Sequence, residues 1–354
     1  MPSRPIRVLI IDGSPMFRTR LKAALRCDPG LEQLVGAMDA AEARERILHK
    51  RPDVLVLDLD LPGGGAITFL RERRELYPVP VLLCSAATTR DGPRALEAIS
   101  LGALDVFAKP HEDDREAFAE LGRRMASAMR VAFGRARPVQ FAASVPTLRR
   151  LPPGRMCEFD PHTLVVIGAS TGGTEAVRTL LANAPRSFPP VAIVQHLPAH
   201  FTKAFADRLN DHSALSVREA RHGETLSAGD ALVARGDTHL EVRWGAGAYE
   251  VVYTHQRAVN RHCPSVDVLF DSAAAAAGRH AAAVLLTGMG ADGARGMLRL
   301  RRAGALTIGQ DQASCVVYGM PKVAADLGAL AATGPPEAIP ALILALLAQR
   351  AHVP

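Results

Sequence analysis

Four short apolar runs near the start of the chain each lead directly into a side chain with chemistry. Arg7–Ile11 runs into Asp12, Asp53–Leu57 into Asp58, Val81–Cys84 into Ser85, and Asp105–Phe107 reaches Lys109 two residues later. A weaker run lies near Leu34–Ala37. Helix-length segments separate these runs, and that alternation demands a parallel sheet flanked by helices. In an open sheet of this kind ligands sit beyond the carboxyl ends of the strands, so the spacing predicts that Asp12, Asp58, Ser85 and Lys109 converge.

The alternation lapses from about Arg123 to Pro161, where Pro138, Pro146, Pro152, Pro153 and Gly154 punctuate an arginine-rich stretch. That composition reads as a linker, although its start, Arg123–Phe133, can equally extend the preceding helix. Strand-like runs resume at Thr163–Ile167, Val191–Gln195, Ala281–Leu286 and Leu306–Gly309. Gly-Asp and Gly-rich turns between Glu219 and Tyr253 predict a hairpin inserted into this second sheet. The five-alanine run Ala273–Ala277 predicts a helix lying close on it. A chain of 354 residues accommodates two such domains at about 100–200 residues each. The expected division is residues 1–122, a linker over 123–160, and residues 161–354.

Net charge is +6, which on its own suggests a nucleic-acid binder. Eight arginines and no acidic residue lie between Arg123 and Cys157, so that stretch carries +8 and the remainder sums to −2 (6 minus 8). Neither folded half is basic, and no nucleic-acid partner is expected. The five cysteines are widely spaced with no Cys-x-x-Cys pair, so no disulfide framework or zinc site is written here. The chain runs from Met1 into an apolar strand-like segment without a cleavable leader, and no apolar run is long enough to span a bilayer. The expectation is a cytoplasmic protein with no membrane insertion.

After Thr163–Ile167 comes Gly168-Ala169-Ser170-Thr171-Gly172-Gly173, a Gly-x-Ser-x-Gly turn followed by a helix-compatible segment. A serine between glycines on a strand-to-helix turn is held open to an incoming carbonyl, and helix-start N–H groups can stabilise an oxyanion. The turn lacks the Gly-Lys-[Ser/Thr] of a Walker loop. Among 12 histidines, His196 is the best placed base, because it ends the next apolar run at the same sheet edge, unlike His49, His111 or His280. Asp292, in the turn after Ala283–Leu286, is the candidate orienting carboxylate. The order Ser, His, Asp differs from that of the α/β-hydrolases. The same turn spells Gly288-x-Gly290-x-x-Gly293 with Asp311 18 residues beyond, which keeps an NAD(P)-binding oxidoreductase as a rival. Against that rival, a carboxylate at position 292 would repel a pyrophosphate.

Residues 5–122 resemble a response-regulator receiver domain, on Val8–Ser14, Leu57–Pro62, Cys84-Ser85 and Ala108-Lys109-Pro110. The resemblance implies a flavodoxin-like, doubly wound parallel sheet in which a histidine kinase phosphorylates Asp58. Asp12 and Asp58 would hold Mg²⁺, and Ser85 and Lys109 would respond to the phosphoryl group. The family normally carries a second acidic residue where this chain has Gly13, so weakened metal binding is expected. The alternative is a degraded receiver attached to a constitutive esterase.

Receiver, arginine-rich linker and serine motif together resemble the chemotaxis protein-glutamate methylesterases of the CheB family. Gln195–Pro198, Val259–His262, Pro264–Phe270, Leu286–Gly293 and Ala313–Pro321 carry that likeness. It implies an α/β, Rossmann-like methylesterase domain with Ser170 as nucleophile, His196 as general base and acid, and Asp292 orienting His196. Met289 and Thr171 lie where the family stabilises the oxyanion. The esterase chemistry needs no cofactor. The implied partners are methyl-accepting chemotaxis receptors as substrate and a CheA-type histidine kinase as phosphodonor, with the unphosphorylated receiver covering the catalytic opening.

Overall fold

The structure, a computed structural model, describes residues 4–61, 65–86, 91–135, 160–255 and 257–351. The chain divides into two compact units, Met1–Val139 and Gln140–Pro354. The proline-punctuated part of the expected linker lies outside the described residues.

In the first unit the elements run β1 (Ile6–Ile11), α1 (Pro15–Leu25), β2 (Leu31–Ala37), α2 (Ala40–Lys50), β3 (Val54–Asp58), α3 (Gly65–Leu76), β4 (Val81–Ser85), α4 (Asp91–Ser100), β5 (Ala103–Ala108) and α5 (Arg115–Arg135). The five strands are parallel in the order β2-β1-β3-β4-β5. Strands β3 and β4 are buried at every residue, as a sheet covered on both faces requires. Helix α1 begins where it does because Ser14 caps it, accepting from Phe17 N at 3.2 Å, and Pro15 supplies a preset first turn. Helix α5 carries the arginine-rich stretch as far as Arg135, so the helix-extension reading holds for its start. The order reverses between β1 and β3, so the residues after those strands, Asp12 and the terminal Asp58, flank the crevice.

The second unit runs β6 (Leu164–Ala169), α6 (Gly173–Ala182), β7 (Val191–Gln195), α7 (Ala199–Asp211), β8 (Ser216–Glu219), β9 (Glu224–Leu226), β10 (Asp230–Val233), β11 (His239–Gly245), β12 (Ala248–Thr254), α8 (Val266–Ala276), β13 (Ala281–Leu285), α9 (Ala294–Arg302), β14 (Leu306–Gln310), α10 (Met320–Asp326), β15 (Ala332–Gly334) and α11 (Ile339–Ala351). A seven-stranded parallel sheet has the order β15-β14-β13-β6-β7-β10-β8. The hairpin expected between Glu219 and Tyr253 is β11–β12, but it pairs with β9 in a separate three-stranded antiparallel sheet. Burial explains the partition. Strand β10 is almost wholly buried and joins the two-sided parallel sheet. Strands β11 and β12 bury Leu240, Val242, Tyr249 and Val251 towards the core and leave Arg243 and Glu250 in solvent, which suits a one-sided sheet. Helix α8, which carries the alanine run, packs its buried side against both sheets.

Candidate active site

Ser170, His196 and Asp292 follow three adjacent strands of the second sheet, β6, β7 and β13. Ala169 pairs with Gln195, and His196 N donates to Ala169 O at 3.1 Å, so positions 170 and 196 lie side by side beyond neighbouring strand ends. The nucleophile turn is tied down. Ser170 N donates to Thr287 O at 3.0 Å, while Ser170 O accepts from Gly173 N at 2.7 Å and from Gln195 Nε2 at 2.9 Å. Two glycines permit this approach. Gly172 has φ +76° and abuts Val316, and a Cβ on Gly288 would lie 2.8 Å from Ser170 Cβ and 2.2 Å from Met320 Sδ. The close packing at Gly288 brings Met289 beside the serine turn, and among the described residues the Met289 N–H has no acceptor. Thr171 is buried, and its carbonyl accepts from Thr287 Oγ1 at 3.0 Å.

Asp292 is almost fully buried and accepts from five donors. His196 Nε2 lies 2.8 Å and Val266 N 2.7 Å from Oδ2. Asn260 Nδ2 at 2.7 Å, Ser265 Oγ at 2.7 Å and Asp267 N at 3.2 Å reach Oδ1. Two of these are first-turn N–H groups of α8, so the carboxylate sits at a helix N-terminus. Burial pushes the Asp292 carboxyl up, but His196, Asn260 and Ser265 outweigh it and hold the group well below the usual carboxylate range. Because Nε2 is committed to Asp292, the donor tautomer assigned to His196 leaves Nδ1 as the basic nitrogen. His196 Nδ1 is buried and makes no hydrogen bond among the described residues.

The sequence reading missed Asn260, Ser265, His262 and Gln195 as members of this site. Ser265 carried a legible signal, since a serine two residues before an aspartate and ahead of an apolar run marks a helix start. The others are brought in by the turn before α8 and by the end of β7.

In the first unit the four candidates converge. Lys109 Nζ lies 2.8 Å from Asp12 Oδ2 and 2.7 Å from Asp58 Oδ1. Asp12 Oδ1 accepts from Ser14 N at 2.8 Å, and Asp58 Oδ1 from Asp60 N at 3.0 Å. Ser85 Oγ donates to Ala86 O at 3.1 Å. Burial and then the Asp12 charge raise the Asp58 carboxyl above its ordinary range, against the pull of Lys109. Lys109 is itself raised, because its two carboxylate partners outweigh its burial. Two buried carboxylates aimed at one point are a hard-oxygen donor set that suits Mg²⁺. The set stops at two, and among the described residues no group of three or more His, Cys, Asp or Glu forms a metal cluster. Gly13 has no positive φ, and a Cβ there would meet only Met38 O, at 4.0 Å, so nothing in the backbone excludes a carboxylate at that position.

A parallel receiver-type sheet and a second sheet presenting serine, histidine and aspartate at adjacent strand ends define a response regulator with an α/β output unit. A family model described as CheB methylesterase matches residues 165–343, and one described as response regulator receiver domain matches residues 8–118. The protein-glutamate methylesterase/protein-glutamine glutaminase 5 of Anaeromyxobacter dehalogenans is 43% identical over 353 residues, 97% of each chain. The protein-glutamate methylesterase/protein-glutamine glutaminase 2 of Pseudomonas aeruginosa is 42% identical over 347 residues, 98% of each chain. The crystal structure of the Thermotoga maritima CheB methylesterase catalytic domain is 37% identical with a TM-score of 0.51, covering 52% of this chain and 98% of that one. The chain belongs to the CheB methylesterase family, with a receiver domain ahead of the catalytic one. These relatives favour a hydrolase over the NAD(P) reading of Gly288–Gly293. Among the described residues no helix is long and apolar enough to cross a membrane.

Proposed function

We propose that the chain hydrolyses glutamate methyl esters, and deamidates glutamines, on the cytoplasmic part of methyl-accepting chemotaxis receptors, under control of phosphorylation at Asp58. The observation that carries this is the His196–Asp292 hydrogen bond beside the Ser170 turn, in a chain whose full-length relatives bear that activity in their names.

His196 Nδ1 takes the proton from Ser170 Oγ, and Oγ bonds to the ester carbonyl carbon. The Met289 N–H, which has no acceptor among the described residues, and the Thr171 N–H at the start of the serine turn are the donors for the oxyanion. The Ser170 N–H is spent on Thr287 O and does not serve. Asp292, held ionised by its donors, stabilises the imidazolium and keeps Nδ1 as the working nitrogen. The C–OCH₃ bond breaks as the imidazolium returns its proton to the leaving oxygen, giving methanol. Water, deprotonated by His196, then attacks the acyl-serine, and Oγ leaves with that proton to regenerate glutamate and Ser170. A glutamine follows the same path with ammonia as leaving group.

In the receiver, Asp58 is the phosphoacceptor for a CheA-type kinase. Asp12 and Asp58 would hold Mg²⁺, which neutralises phosphoryl oxygens when bound, and Lys109 and Ser85 would meet the transferred group. Release of labelled methanol from methylated receptors by the full chain tests the catalytic reading. Ser170→Ala should reduce release by several orders of magnitude in a folded protein. Near-normal turnover would end the proposal.

A further inference from the structure

The turn between β12 and α8 delivers two side chains to the His196–Asp292 pair that the reaction above does not employ. Asn260 and Arg261 both have positive φ, 52° and 66°. Val259 N donates to His262 O at 3.0 Å and His262 N to Val259 O at 2.9 Å, closing a tight turn. Two consecutive left-handed residues are the backbone of a type I′ turn, a conformation normally reserved for Asn-Gly. An arginine in the second place is conformationally costly, and such outliers persist where the surroundings enforce them and cluster at functional sites.

The turn's orientation has two local consequences. The Asn260 amide donates to Asp292 Oδ1 and Asp267 Oδ2, each at 2.7 Å, and so separates two buried carboxylates. The His262 ring lies parallel to His196, with centroids 3.7 Å apart and planes 8° from coincidence. At that distance the second ring covers one face of the first and excludes water from it. The Nε2 to Asp292 bond by itself leaves the His196 ring free to rock about that contact, which would displace Nδ1. A flat ring in van der Waals contact opposes that rocking.

We infer that His262 is a positioning residue for the hydrolysis. By stacking on His196 it holds the ring plane, so that Nδ1, which makes no hydrogen bond among the described residues, keeps one position from which to take the Ser170 proton. In this role it acts through His196. The inference rests on the Ser170–His196–Asp292 reading given above.

The test uses the full chain and methylated receptor cytoplasmic fragments, with kcat and KM for methanol release measured separately. The variants are His262→Ala, His262→Phe and Ser170→Ala, each checked for folding by circular dichroism and thermal melting. His262→Ala should lower kcat by about tenfold to hundredfold, the size of effect that a small misplacement of a catalytic group produces, with KM within about twofold. His262→Phe should recover kcat to within about threefold of wild type, because a planar ring restores the stack without an imidazole. Wild-type kcat in His262→Ala overturns the inference. So does a loss confined to KM, or a folded His262→Phe that is slowed as much as alanine. If the alanine variant does not fold, the phenylalanine variant decides: kcat near wild type supports the stack, and a loss beyond tenfold overturns it. Turnover by Ser170→Ala would instead sink the underlying hydrolase reading.

Discussion

At the carboxyl end of β3, Asp58 shares its crevice with Asp12, and the described residues offer the two carboxylates one ammonium, that of Lys109. After β13, Asp292 is gathered by five donors from four residues of the turn and helix before it and from His196. Both aspartates are buried beyond parallel strands, yet the first is raised and the second lowered. The difference lies in what surrounds the carboxylate, since burial pushes both the same way. The contrast fits the roles proposed above: as a phosphoacceptor Asp58 would concentrate negative charge that a cation must relieve, whereas as an orienting carboxylate Asp292 must stay ionised while its histidine gains and loses a proton.

The largest expected effect separates the two roles. Asp292→Asn should cut methanol release about 10³-fold or more, because an amide cannot hold the His196 tautomer or balance the imidazolium. A loss below tenfold in a folded variant would mean that the five-donor site is structural only.

Stability should move in opposite directions at the two sites. Asp292→Asn turns an NH₂ towards N–H and O–H donors and should cost the catalytic unit about 2–4 kcal/mol. Asp58→Asn should stabilise the receiver at pH 7. The sign follows from the raised carboxyl: ionising Asp58 disfavours the fold, a penalty absent below its unfolded pKa near 3.9 and growing as pH rises through the folded value. Thermal denaturation at pH 7 and pH 3 measures both variants. Destabilisation of Asp58→Asn at pH 7 would show that the Lys109 attraction exceeds the Asp12 repulsion.

A smaller effect probes the incomplete donor set. Gly13→Asp adds a carboxylate where the backbone accepts one, and should lower the Mg²⁺ concentration for half-maximal Asp58 phosphorylation about threefold to tenfold. An unchanged requirement would mean that two carboxylates already suffice. The smallest effect lies at the opposite end of β3, where Asp53 pairs with Arg4 at 2.7 Å and Arg7 at 3.3 Å. Burial raises its carboxyl, but these arginines outweigh that and bring it down to about 2. Its contribution should be complete above pH 4 and lost as pH falls towards 2. Because the two arginines are partly exposed and screened by solvent, Asp53→Asn should cost at most about 1 kcal/mol at pH 7 and little near pH 2, by chemical denaturation at each pH.

The apolar runs carried the first sheet and the four central strands β14, β13, β6 and β7 of the second, because a strand buried on both faces must be apolar along its whole length; β8, β10 and β15, shorter or partly exposed, left no such run. Strand ends moved by a residue or two; Asp58 and Ser85 close β3 and β4 rather than following them. Asp12, Asp58, Ser85, Lys109 and His196 stood out in the sequence because each lies within two residues of the end of an apolar run, and Ser170 and Asp292 because each sits in a glycine-bearing turn that follows one. Only the tertiary structure decided that His196 offers Nδ1 rather than Nε2, that α8 aims its first turn at Asp292, and that the turn at Asn260 and Arg261 seats His262 on His196. Those contacts to Asp292 join residues 25 to 96 positions apart. Periodicity reports whether a segment buries a face. It carries no term for which other segment arrives there, and the Asn-Arg turn lacks the glycine that would have announced its left-handed backbone.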